Sequence, residues 1–264
     1  MSDFVSASHD VMFKALFVKH PDLLRAFIRD ILELPLTDAD KVIVLNPELI
    51  PEIADGKMGR LDIHVEMVNQ KFNVEMQARQ KGFSADRILY YWAEMFTEGI
   101  KSGTKYEDME PTYSVNILGF NFLNCKKYHS SYSVMENDRH ERLSDKLSIH
   151  LFELPKVPNE FAEGDLKQQW MELIKADSEE ALEMVRNNTT SPAIQQGVEA
   201  VFELNADTIL REQIRARDKA IRDYDNDMAI AKDEGRKEER ARLVRKWREK
   251  GKSEEEIREL LADI

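Results

Sequence analysis

The chain has 264 residues, 42% of them hydrophobic and 33% charged, with a net charge of −12, which supports one sizeable core plus an appendage. No run approaches the length of a membrane span, the first residues lack the basic and apolar segments of a secretory signal, and no membrane partner is expected. A single cysteine, Cys125, excludes an internal disulfide and a cysteine-based zinc site, so a reducing cytoplasm is the expected setting.

Nearest the N-terminus, Ser8 is placed to cap a helix over HDVMFKALFVKH, with Asp10 and Lys14 at i,i+4 spacing and Phe13, Leu16 and Phe17 on its core side. A second helix follows Pro21 and stops before Pro35. KVIVLNPEL reads as a short apolar strand, and EIADGKMGR as a turn-rich approach to Asp62.

From Arg60 to Gln77 the chain reads RLDIHVEMVNQKFNVEMQ, two strands joined by a turn. Leu61, Ile63 and Val65 alternate with Asp62, His64 and Glu66; Phe72, Val74 and Met76 alternate with Asn73, Glu75 and Gln77. Period-two alternation sends the apolar set to the core and the polar set to the opposite face, as in any half-solvated antiparallel pair. With the turn centred on Asn69 and Gln70, Asp62 falls opposite Gln77 and His64 opposite Glu75, a pairing that a one-residue slip would break. Two carboxylates and an amide then converge within reach of a hard cation.

Ser84 is expected to cap a helix over ADRILYYWAEMFTEGIKSG, its aromatics packing on the sheet. Arg87 in that helix needs a carboxylate or phosphate partner. Three strands come next, in PTYSVNILGFNFL, HSSYSVME and LSIHLFELPK, the first nearly continuously apolar, as suits a strand covered on both faces. Strands bracketing helices in this way predict an α/β domain with a mixed sheet.

Beyond Phe161 the texture is helical throughout, with caps at Ser178 and Ser191 and a long charged helix from about Asp207 to Lys250. Gly251 breaks it, and Ser253 with Glu256 forms a capping box for a short amphipathic last helix. The whole net charge falls in residues 1–204, whereas 205–264 are balanced and 236–252 hold nine basic and three acidic residues. Any phosphate contact therefore needs a local patch. The pattern of the charged helix is that of a solvated helix or a weak oligomerisation arm rather than of a nucleic-acid clamp.

One Asp, a turn and then Glu-x-Gln resembles the core of the PD-(D/E)XK nuclease superfamily. The ordered blocks HDVMFKALF, DGKMGRLDIHVE, VEMQ, RILYYWAEMF and LSIHLFELPK resemble, over roughly residues 8–158, the Rpn family of recombination-promoting nucleases, also described as YhgA-like proteins or transposases. The resemblance implies a restriction-endonuclease-like mixed β-sheet flanked by helices over 1–158, followed by an α-helical C-terminal region over 159–264. It also implies a DNA endonuclease dependent on Mg²⁺ or Mn²⁺, tied to recombination or mobile elements.

By position, Asp62 and Glu75 match the metal-binding carboxylates, Gln77 the third active-site residue, and Asp10 an additional acid on the first helix. Gln77 stands where Lys is usual and carries no charge, which leaves Lys57 and Arg87 as the cations to supply it. The alternative is a catalytically degenerate protein that keeps the fold as a DNA-binding or assembly module. A homodimer or higher homo-oligomer would let one site per protomer address both DNA strands.

Overall fold

The computed structural model describes residues 4–48, 62–98, 100, 103 and 105–262. Two helices open the chain, α1 (Asp10–Lys19) and α2 (Pro21–Leu32). His9 rather than Ser8 caps α1, its ring accepting from the Val11 N–H. Pro21 starts α2, where its missing N–H costs nothing.

Among the described residues six strands form one sheet: β1 (Ile43–Val44), β2 (Ile63–Met67), β3 (Gln70–Gln77), β4 (Thr112–Leu118), β5 (His129–Tyr132) and β6 (Leu147–Glu153). Their spatial order is β1-β2-β3-β4-β6-β5. The strands β3, β4 and β6 run parallel, and the others join antiparallel, so the sheet is mixed as expected. Among the described residues of the apolar run KVIVLNPEL, Ile43 and Val44 form the strand that pairs with β2.

Helix α3 (Ala85–Thr97) crosses between β3 and β4 and is capped by the Ser84 hydroxyl. It buries Ile88 and Met95, while Tyr90 is exposed. The aromatics of this helix are thus not all core residues. Trp92 lies at the sheet, donating its indole N–H to the Thr112 carbonyl at 2.9 Å.

The helices α4 (Leu166–Lys175), α5 (Glu179–Asn188) and α6 (Pro192–Ala206) form one layer with α1 and α2. Their shared core is aromatic: Phe13, Phe17, Phe27 and Trp170 are fully buried and meet edge-on or tilted. Asp165, Ser178 and Ser191 each cap a helix start.

The chain divides into two compact units, Met1–Leu210 and Arg211–Ile264. The second unit contains most of α7 (Thr208–Glu249) and all of α8 (Glu254–Ala262). Between them Gly251 takes a φ of 78°, a left-handed value that favours glycine. The capping box forms as expected: the Ser253 N–H donates to Glu256 Oε2 at 2.8 Å and the Glu256 N–H to Ser253 Oγ at 3.2 Å. Among the described residues no helix is long and apolar enough to cross a membrane.

Where β5 meets β6, His129 and His150 share a hydrogen bond of 3.0 Å, and His129 stacks on Phe152. Burial pushes both imidazoles down to about 4, with the Lys167 charge adding to the effect. A folded value below the ordinary one means that protons bind the unfolded chain more tightly. These histidines therefore stabilise the fold fully above their ordinary value of 6.5, and that contribution is lost as the pH falls towards about 4. A pH series of thermal melts is expected to show this loss, with a flatter slope in His150→Gln.

Candidate active site

The hairpin turns at Val68 and Asn69, both at positive φ (49° and 56°), the two-residue geometry whose twist matches that of paired strands. This moves the turn one residue earlier than the symmetric placement on Asn69 and Gln70. Ile63 pairs with Val74 and His64 with Asn73, so one step further along the ladder Asp62 faces Glu75. The cross-strand pairs shift by two residues, and an even shift leaves every side chain on its expected face. Asp62 thus lies across from Glu75, and Gln77 sits one pleat beyond.

Ile63, Val65, Met67, Phe72, Val74 and Met76 are buried on one face. The other face carries Asp62, His64, Glu66, Lys71, Asn73, Glu75 and Gln77, and α3 lies over part of it. Lys71 marks that contact, donating to the Glu98 carbonyl just past α3 at 2.7 Å.

Asp62 is held from both directions. The Asn46 side-chain amide donates to the Asp62 carbonyl at 2.9 Å and accepts from the His64 N–H at 2.8 Å. Asp62 Oδ2 lies 2.8 Å from His64 Nε2, with the Asp62 side chain only 9% exposed. That hydrogen bond raises the His64 pKa against the opposing effect of burial.

Glu75, with 12% of its side chain exposed, lies 3.5 Å from the Arg87 guanidinium. Ser84 starts the helix that brings Arg87 there. Arg87 also donates to the Gly82 carbonyl at 2.9 Å and lies 5.9 Å from the Tyr91 ring centre. The partner required by an arginine in this helix is therefore a carboxylate of the hairpin.

The remaining expected residues are placed differently. Gln77 gives its amide N–H to the Arg79 carbonyl at 2.8 Å. Asp10 is held at the first turn of α1, where its carboxylate accepts from the Val11 N–H at 2.9 Å and lies 3.2 Å from His9. Lys57 lies outside the described residues. Among the described residues no three His, Cys, Asp or Glu side chains are grouped as a metal site; Asp62 and Glu75 stand as a pair.

Next to this pair lie buried polar residues that the apolar reading of the fourth strand passes over. Asn73, Ser114 and Asn116 are each at most 3% exposed, and the Asn116 amide donates to Ser114 Oγ at 3.0 Å. In parallel register, Asn73 neighbours Ser114 and Glu75 neighbours Asn116. Their signal was in the sequence, as Thr112, Ser114 and Asn116 at every second position. Asn46 left no comparable signal, because its role depends on β1 lying beside β2.

Carboxylate oxygens on adjacent strands, little exposed and faced by one imidazole and one guanidinium, are a hard donor set suited to Mg²⁺ or Mn²⁺. The sequence model of the family described as PD-(D/E)XK nuclease family transposase matches residues 7–231. Comparison with curated proteins and with solved structures gave no match.

Proposed function

The chain belongs to the PD-(D/E)XK nuclease family transposases, and on that premise we propose that it is a metal-dependent DNA endonuclease acting in recombination or in the movement of mobile elements. The observation that carries this reading is the placement of Asp62 across from Glu75 on adjacent strands, at the edge of α3. Like charges opposite one another on neighbouring strands oppose each other, and a divalent cation held between two carboxylates would relieve that beyond what His64 and Arg87 supply.

In this reading Asp62 and Glu75 would hold Mg²⁺ or Mn²⁺, which when bound would supply water activation near neutral pH and neutralise charge on the scissile phosphodiester. The protein's own groups do the positioning. Asn46 fixes the backbone on either side of Ile63, and His64 fixes the Asp62 carboxylate through Oδ2. Gln77 gives one amide N–H to the Arg79 carbonyl, and its Oε1 is the acceptor through which it would orient the attacking water. A lysine at that position could only donate.

Arg87 supplies the positive charge that Gln77 lacks. It stands beside Glu75, is 28% exposed, and is fit to bind a phosphate oxygen of the substrate.

The glutamine also favours a second reading, a degenerate nuclease fold that binds DNA without cutting it. Incubation of supercoiled plasmid with the purified chain and Mg²⁺, Mn²⁺ or EDTA separates the two. Nicked or linear product that appears only with metal supports the nuclease. Intact plasmid with well-folded protein that binds Mn²⁺ weakly or not at all supports the second reading.

A further inference from the structure

In a chain whose net charge is −12, the Arg211–Ile264 unit holds nine basic and three acidic residues between Arg236 and Lys252. On α7, the cations Lys237, Arg240, Arg245 and Arg248 line one groove of about 520 Å³, floored by Val244 and by Leu261 of α8. Two of the four are already neutralised: Lys237 Nζ lies 2.7 Å from Asp233, and Arg248 Nε 2.7 Å from Glu254. Arg240 and Arg245 are exposed, and among the described residues neither has a carboxylate partner.

A solvated helix face ordinarily spaces opposite charges three or four residues apart. Here Arg240 has Lys237 and Arg236 three and four residues before it and no acid at those spacings, and Arg245 has Arg242 and Arg248 against one acid, Glu249. Like charges at these spacings oppose helix formation, a cost that a bound anion removes. From Lys237 to Arg248 the groove follows about 16 Å of helix axis, a length over which duplex DNA carries roughly ten phosphate charges.

We propose that this groove of α7 binds the phosphate backbone of duplex DNA, through Arg240 and Arg245 above all. The inference rests on DNA being the substrate of the carboxylate site. It gives the chain the phosphate-binding surface that residues 1–204, with 34 acidic and 22 basic residues, do not supply in bulk. Contacts to phosphate oxygens carry no sequence information, so the binding proposed here is independent of sequence and strongly salt-dependent.

The test is fluorescence anisotropy of a labelled duplex with the full chain in EDTA, over a series of salt concentrations. Wild type is compared with the double variant Arg240→Gln/Arg245→Gln and, separately, with Arg186→Gln, which removes one paired surface cation of α5. Loss of two phosphate contacts lowers the slope of log K against log salt by about 1.8, and affinity at low salt falls at least about tenfold. Arg186→Gln binds like wild type.

Circular dichroism verifies that the double variant keeps its helix content. Equal affinity and slope in wild type and double variant overturn the proposal. So does wild type that shows no salt-dependent binding. A double variant whose self-association changes in sedimentation without DNA, while its DNA binding does not, assigns the groove to an acidic surface of a second copy. Plasmid cleavage is read independently, so the groove and the nuclease can fail separately.

Discussion

Asp62→Asn and Glu75→Gln are each expected to reduce metal-dependent plasmid cleavage by at least about 10³-fold, or about 4 kcal/mol in the barrier. Both variants keep the shape of the side chain and remove only its charge. Each leaves a single carboxylate where two faced each other, too little to hold a hydrated divalent ion in place. Calorimetric titration with Mn²⁺ should show the matching loss of binding.

Stability separates this role from a structural one. Without metal the two melting temperatures should stay close to wild type, because His64 can shed its proton and Arg87 reaches solvent. A carboxylate kept only to pair with its neighbour would instead destabilise the fold when neutralised. Full cleavage by either variant would remove the hairpin from consideration as the site.

Trp170→Ala carries the largest expected cost to the fold, about 3–5 kcal/mol in urea denaturation. The indole is fully buried, 5.4 Å from Phe27 and 6.4 Å from Phe17 between ring centres. Its N–H donates to Asp30 Oδ2 at 2.9 Å, and the Asp30 side chain is only 4% exposed. Truncation opens a cavity and takes a hydrogen bond from a buried carboxylate at the same time. Collapse of the cavity is limited, because Gly197 already approaches the ring so closely that a Cβ there would lie 3.3 Å from it.

Trp170→Phe preserves most of the packing and loses the hydrogen bond, so it should cost about 1–3 kcal/mol. Since a domain's entire stability is about 5–15 kcal/mol, the alanine variant should be conspicuously fragile. An alanine variant as stable as wild type would mean that the helical layer does not depend on this contact.

Much of the protein could be read from local pattern alone. Alternation around Asp62 and Glu75 named the hairpin and its two faces, because a strand's side-chain period of two does not depend on its partners. Ser84, Ser178 and Ser191 marked helix starts because a cap bonds only to residues two or three ahead. The order of blocks from HDVMFKALF to LSIHLFELPK pointed to the nuclease family, which the match over residues 7–231 bears out.

The features left open by the sequence depended on non-local partners. The turn lies at Val68 and Asn69 because a two-residue loop fits the strand twist, and this put Asp62 across from Glu75 rather than Gln77. Only the tertiary structure set Arg87 beside Glu75, since that contact requires α3 to return over β3. It also showed Asn46 clamping the start of β2, and Trp170 anchoring α4 on α2 from 140 residues away in sequence. Each of these is a contact between segments whose separation no periodic pattern encodes. Local chemistry thus determined which residues could act, and the folding of distant segments onto one sheet decided which of them meet.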